Sequence, residues 1–208
     1  QDGKEVKADN NKFYYKVGLV DPKIIVPMPT GLRMIAGNAK STGPQSPQVT
    51  YFFTTTSKGK HTEPHTQSTH GGKMFTIKDG ENGVRFQLQY PQCWDGIHLW
   101  LPNSTHMAYP TKGVCPSTHP KAFLQLMFNL GYSDATGGEG FKLSSGEWFT
   151  AHGDFINGWK PETMERLVQT CVREKRYCGL TSSDSKPCTE RGTKSGCIEF
   201  RAGEKNPR

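Results

Sequence analysis

Val84–Tyr90, VRFQLQY, is the stretch on which the fold turns. Val84, Phe86, Leu88 and Tyr90 alternate with Arg85, Gln87 and Gln89, and a period of two sets the first group on one face of a strand and the second on the other. The spacing predicts a strand with its apolar face on a core and its polar face in solvent. Upstream, Gln48–Thr56 (QVTYFFTTT) is rich in β-branched and aromatic residues and predicts another strand. Phe13–Val20 and Lys23–Val26 have the same character, and Pro22, Pro27 and Pro29 around them suit short edge strands. Downstream, Ala122–Leu130 is continuously apolar, which fits a strand buried on both faces, with a helix as the alternative.

A change of period marks the one clear helix. It opens after Trp159 with Pro161 at its first position, and Met164, Leu167, Val168, Cys171 and Val172 are spaced for one buried stripe. Core material is otherwise thin: 33% of residues are hydrophobic and there are 23 Gly and 14 Pro, so turns outnumber long elements. Asn38–Pro47 and Lys58–Gly72 read as loops. The expected architecture is α+β, a β-rich single domain with short strands, long loops, one helix in the C-terminal half and a disulfide-stapled tail. Its parts are a polar arm over 1–12, the β-rich domain over 13–178 and a Cys-containing tail over 179–208.

Six cysteines, none in a tight C-x-x-C pair, favour disulfides over a zinc ribbon. Asn103-Ser104-Thr105 is a glycosylation acceptor, which agrees with an oxidising secretory route. No apolar run approaches the length of a membrane span, and QDGKEV at the start lacks a signal-peptide core. The chain therefore reads as a mature, soluble, secreted, extracellular glycoprotein, expected as a monomer. Its formal charge of +7 is uneven. Residues 1–60 hold nine Lys/Arg against four Asp/Glu, and residues 160–208 hold eleven against seven. The middle, which contains all seven histidines, is acidic. A nucleic-acid binder places its cations where it reads its target, so nucleic acid is the disfavoured partner.

The histidines sit in turn-forming motifs. His152-Gly153-Asp154 sets an imidazole and a carboxylate two apart across a glycine that permits a tight turn, so the acid can orient the ring. His106 and His119 lie beside prolines and hydroxyl residues in two other loops. Three imidazoles from three loops suit an acid and a base around a substrate, or a divalent metal such as copper or zinc held by His106, His119 and His152. The bland alternative is that each is a satisfied structural histidine. His61, Glu63, His65 and His70 have ligand types, but a solvated loop accounts for them as well.

Gln92-Cys93-Trp94-Asp95-Gly96, Ser104–Pro110 (STHMAYP), Cys115–Pro120 (CPSTHP) and His152–Trp159 (HGDFINGW) occur in this order and at this spacing in one family. Together with Gly31–Gly37 (GLRMIAG), they make the chain resemble a secreted family of fungi and bacteria catalogued as a domain of unknown function. The likeness runs from about residue 31 to about 178. It implies work at a cell-wall glycan or other polysaccharide, because relatives are often joined to wall-binding modules. Typical members have a longer N-terminal part with an H-x-H element and extra cysteines. Residues 1–30 carry neither, and His61, His65 and His70 are the candidates to stand in.

Within that setting Asp95 follows a cysteine and an indole, so its carboxylate is presented from a stiff turn, and with Asp154 it would supply the two acids of a glycoside hydrolase. A turn-forming Asp before Gly96 is the plain alternative. Tyr109 is a candidate to remove the proton α to a uronate, as a polysaccharide lyase requires, with Arg33 and Lys121 offsetting the carboxylate. Trp94, Trp159 and Asn157 are the candidate substrate contacts; Trp94, Trp100, Trp148 and Trp159 all have the face to stack on a sugar, and core burial explains at least half of the four better. There is no G-x-S-x-G elbow, no H-E-x-x-H helix, no phosphate loop and no dinucleotide fingerprint. The expected function is a secreted polysaccharide-cleaving enzyme, hydrolase or lyase, with a His/Asp site. A metal-binding or wall-binding protein without turnover is the alternative, and a secreted nuclease or toxin is a second one.

Overall fold

A computed structural model describes residues 5–46, 48–56, 65–66, 81–133, 142–174, 180–181 and 197–198. His61, His70, Cys178, Cys188 and most of the expected tail lie outside the described residues. The protein is strand-rich with one α-helix, a small α+β fold. It forms two compact units, one from Gln1–Tyr14, Ile35–Pro91 and Leu126–Phe155, the other from Tyr15–Met34, Gln92–Gln125 and Ile156–Arg208.

The first unit is built on an antiparallel sheet in the order β1 (Asn10–Lys16), β9 (Gln125–Tyr132), β5 (Glu81–Gln89), β3 (Thr50–Thr56) and β4 (His65–Thr66). β5 lies between β3 and β9, with Phe86 opposite Phe52 on one side and Leu130 on the other. Val84, Phe86, Leu88 and Tyr90 are all buried, as the alternation requires. The opposite face is not wholly wet. Gln87 is buried opposite Asn129, and its amide reaches the sulfur of Met127, so a strand flanked on both sides covers part of its polar set. Phe13, near the N-terminal end, stacks on Phe128 with ring centroids 4.4 Å apart. The polar arm ends sooner than the sequence suggests, because β1 starts at Asn10 and Asp9 accepts from the Ser133 N–H at 3.2 Å.

In the second unit the continuous apolar run at Ala122–Leu130 divides. Lys121–Ala122 (β8) pairs with Cys93–Trp94 (β6), which also pairs with Met107–Ala108 (β7), giving a small sheet in the order β7-β6-β8. Lys23–Val26 is not a strand. Pro22 fixes the backbone angle for a 3-10 turn over Pro22–Ile24, and Asp21 caps it by accepting from the Lys23 N–H at 2.9 Å. Ile25 then bridges to Ala122. The helix α1 (Pro161–Leu167) starts at Pro161 as expected and buries Met164 and Leu167. Its axis continues with wider i to i−5 hydrogen bonding over Val168–Arg173, closed by Glu174 N to Gln169 O at 2.9 Å, and buries Val168 and Val172. Arg173 then donates to the carbonyls of Pro22, Lys23 and Ile25. Cys171 is disulfide-bonded, and among the described residues no cysteine is free. Leu180–Thr181 (β11) pairs with Cys197–Ile198 (β12). Strands β2 (Arg33–Gly37) and β10 (His152–Ile156) form a further two-stranded sheet. Among the described residues no helix is long and apolar enough to cross a membrane.

Irregular segments leave backbone carbonyls that must find donors. Buried Gln92 supplies two: its Nε2 donates to Val17 O at 2.8 Å and to Phe123 O at 2.9 Å. Replacing Gln92→Leu keeps the volume and removes both donors, and urea unfolding should show a loss of about 1–3 kcal/mol. An unchanged midpoint would mean that those carbonyls find other partners.

Candidate functional site

β6 is where three of the sequence motifs meet. Cys93 faces Ala108 on one side and Ala122 on the other, and Trp94 faces Met107 and Lys121. The Cys93–Cys115 disulfide adds the third loop, and Asp95 N donates to His106 O at 3.0 Å. Trp94 packs on Phe123 with centroids 5.1 Å apart, and its Nε1 donates to His98 O at 2.8 Å. The turn that follows Trp94 is thus held at both ends.

Within that turn Asp95 Oδ1 accepts from the N–H groups of Ile97 (2.9 Å) and His98 (3.0 Å), and Gly96 takes φ +85°, which favours a residue without Cβ. Asp95 Oδ2 accepts from His98 Nδ1 at 2.7 Å. Side-chain exposure is 16% for Asp95 and 48% for His98. Partial burial works against the carboxylate, but the His98 ring and the backbone N–H groups of His98 and Ile97 outweigh it and hold its pKa at about 2. With Nδ1–H committed to Asp95, the lone pair of His98 sits on Nε2, the side chain is half-exposed, and among the described residues Nε2 has no hydrogen-bond partner. A carboxylate that fixes one imidazole nitrogen and so frees the other is the arrangement of a general base. His98 was not among the residues singled out from the sequence. Its signal was present as Asp, Gly and then His three positions after the Asp.

The other expected residues divide between the units. His106 is fully buried, with Nε2 donating to Arg33 O at 2.7 Å and Nδ1 without a partner among the described residues, so no substrate reaches it. His119 is half-buried; Nε2 donates to Thr105 O at 3.1 Å and Nδ1 accepts from Thr118 Oγ1 at 2.9 Å. Both loops converge as the motifs suggest, but both rings serve the backbone. Tyr109 is half-buried. Arg33 and Lys121 are exposed, and among the described residues neither is ion-paired. Arg33 N donates to Leu99 O at 2.9 Å, and a Cβ on Gly96 would lie 3.5 Å from Lys121 Cγ, so both residues border the segment that carries Asp95 and His98.

His152 and Asp154 belong to the first unit. They stand on a strand, not a tight turn, and both are exposed on one face of β10. Gly153 serves another purpose than turning: a Cβ there would come within 2.6 Å of the buried Tyr90 hydroxyl. His152 Nδ1 donates to Thr150 O at 2.9 Å. Among the described residues no group of three or more His, Cys, Asp or Glu is placed to hold a metal ion.

Asn157, expected to touch substrate, is buried and fully used. Nδ2 donates to Met28 O (2.9 Å) and Pro29 O (3.0 Å), Oδ1 accepts from Trp159 N (3.2 Å), and the backbone pairs with Leu32 and Gly31. Trp159 is half-buried with Nε1 donating to Tyr15 Oη at 2.8 Å, and Trp148 is buried. Trp100 is the one more than half exposed, at 52%.

Two outcomes follow from these geometries. Asn157→Ala strips two carbonyls of their donor and should cost about 2–3 kcal/mol in chemical unfolding, where a substrate contact would leave stability alone. Asp95 has a folded-state pKa below its ordinary 3.8, so its stabilisation is complete above about pH 4 and is lost as pH falls through about 2. Wild-type protein should therefore lose thermal stability between pH 4 and pH 2 more steeply than Asp95→Asn, by about 1 kcal/mol after screening at the half-exposed ring. Parallel melting curves over that range would show that the pair carries no such linkage.

No curated protein and no solved structure matches the chain. A family model described as "Domain of unknown function (DUF1996)" matches residues 1–159. The matched span takes in residues 1–30, which the motif likeness left out, and ends before α1, short of residue 178. It includes β6 with its disulfide, the Asp95–His98 pair and the β10 strand. With about three-quarters of its length matched, the chain belongs to the DUF1996 family.

Proposed function

We propose that the protein is a secreted enzyme that cleaves an acidic polysaccharide by elimination, with His98 as the base. The observation that carries the proposal is the 2.7 Å bond between Asp95 Oδ2 and His98 Nδ1, which leaves the Nε2 lone pair uncommitted on a half-exposed side chain, on a turn that follows a disulfide-bonded cysteine. Glycoside hydrolysis uses two carboxylates, one as acid and one as nucleophile or base. Both oxygens of Asp95 are already committed, so elimination is the better supported of the two chemistries.

In the proposed step, His98 Nε2 removes the C5 proton α to a uronate carboxylate. The C5–H electron pair forms the C4–C5 double bond, the C4–O glycosidic bond breaks, and the leaving oxygen takes a proton from water. Asp95 stabilises the imidazolium that forms and keeps the ring in its productive tautomer. Arg33 and Lys121 would draw charge from the uronate carboxylate, which makes the C5 proton more acidic. Neither cation is ion-paired among the described residues, so both are available for an anionic chain.

Pectate, alginate and glucuronan are suitable probes, with product read as ultraviolet absorbance of the unsaturated uronate. The expected result is absorbance with wild type and a loss of about 10²-fold or more in kcat for His98→Ala. Asp95→Asn should also lower kcat, whereas Lys121→Ala should act mainly on KM. New reducing ends without absorbance, binding without product, or full activity in His98→Ala would each overturn the reading.

A further inference from the structure

The turn that follows the candidate site carries an unusual surface. Ile97 is 74% exposed, Leu99 44% and Trp100 52%, so three large apolar side chains are exposed within four residues of sequence. Directly after it the chain makes a tight turn, with Ser104 N donating to Leu101 O at 3.0 Å. Asn103 and Ser104 both adopt left-handed backbone conformations, at φ 57° and φ 53°. Asn tolerates this region better than most residues, and the effect here is to separate neighbours: Asn103 and Thr105 face solvent while Ser104 is buried.

Asn103-Ser104-Thr105 is an acceptor for N-linked glycosylation, and its middle residue is permitted. The acceptor is thus lifted to the surface by its own turn, three residues after an exposed indole. Pyranose C–H groups pack on the face of an aromatic ring, and a glycan anchored this close to one is preorganised to do so. Trp94, Trp148 and Trp159 are each half-buried or buried within the fold, whereas Trp100 has no ring contact or hydrogen bond among the described residues.

We infer that Asn103 is an N-glycosylation site and that the first N-acetylglucosamine of its glycan stacks on Trp100. The glycan is the occupant of the Leu99–Trp100 surface, so Trp100 serves the protein's own sugar and not a substrate. This holds independently of the reading of His98.

The test is secretion of the full chain from a eukaryotic host behind a host leader, with a protein of known glycosylation as control. Intact mass should show one glycoform series that Asn103→Gln abolishes. Two trimmed forms then separate attachment from stacking: endoglycosidase H leaves one N-acetylglucosamine on Asn103, and peptide N-glycosidase removes it. The one-sugar form should match the full glycoprotein in melting temperature and should protect tryptophan fluorescence from acrylamide, and the sugar-free form should lose both. In Trp100→Ala those differences between forms should vanish. A secreted wild-type chain with no glycan at Asn103 overturns the site. Equal melting and equal quenching of the two trimmed wild-type forms overturn the stacking.

Discussion

Primary amides hold this fold together. Gln45 Nε2 donates to Phe149 O and Ala151 O, both at 2.8 Å; Gln92 Nε2 donates to Val17 O and Phe123 O; Asn157 Nδ2 donates to Met28 O and Pro29 O. In each case one NH₂ group spends both hydrogens on main-chain carbonyls of segments distant in sequence. Between its strands a chain rich in glycine and proline runs through irregular segments whose carbonyls have no strand or helix to satisfy them, and a buried carbonyl without a donor is costly. An amide side chain answers two at once. His106 and Arg173 work the same way, donating to Arg33 O and to the carbonyls around Ile25. Gln92, His106 and Asn157, polar residues of the interior, are therefore backbone partners first.

That constraint decides which polar residues remain for chemistry. Of the histidines placed in the second unit, His106 and His119 have given ring nitrogens to carbonyls, while His98 has given its Nδ1 to a carboxylate. The difference is chemical. A carbonyl partner only fixes a ring, whereas a carboxylate also stabilises the positive charge that the ring acquires on taking a proton. The turn bearing the pair is tied by a disulfide at Cys93, by the Trp94 indole and by two N–H groups closing on Asp95, so the geometry does not wait for a substrate to form it.

Much of the architecture is legible in the amino-acid sequence. The alternation at Val84–Tyr90 gave the central strand because the period of a pleated strand is an inherent property of the chain, and Pro161 with the Met164–Leu167 spacing gave the helix for the same reason. Lys23–Val26 misled because β-branched composition says nothing about a capping Asp and a Pro that favour a local turn. The motifs around β6 were legible as a group, and their loops do converge. Which ring stays available was not legible, because that depends on where stray carbonyls fall in three dimensions. Asn157 and His106 sit within those motifs for structural reasons, while His98 lies just past the quoted segment, and its pairing with Asp95 emerges only once Gly96 turns the chain back.

The Asn157 clamp has a consequence for how the molecule ages. Asn157 precedes Gly158, and an asparagine before glycine is the pairing in which the next backbone nitrogen most readily attacks the side-chain amide, expelling ammonia to give a succinimide. With its Nδ2 pinned between two carbonyls and its backbone paired on both sides, the residue cannot swing into the geometry of attack. Once the chain opens, that protection goes, and the aspartate or isoaspartate that results has no N–H to return to Met28 and Pro29. Each excursion from the native state thus risks a covalent scar that prevents full recovery, and the isoaspartate content at this position becomes a chronometer of the time a sample has spent unfolded.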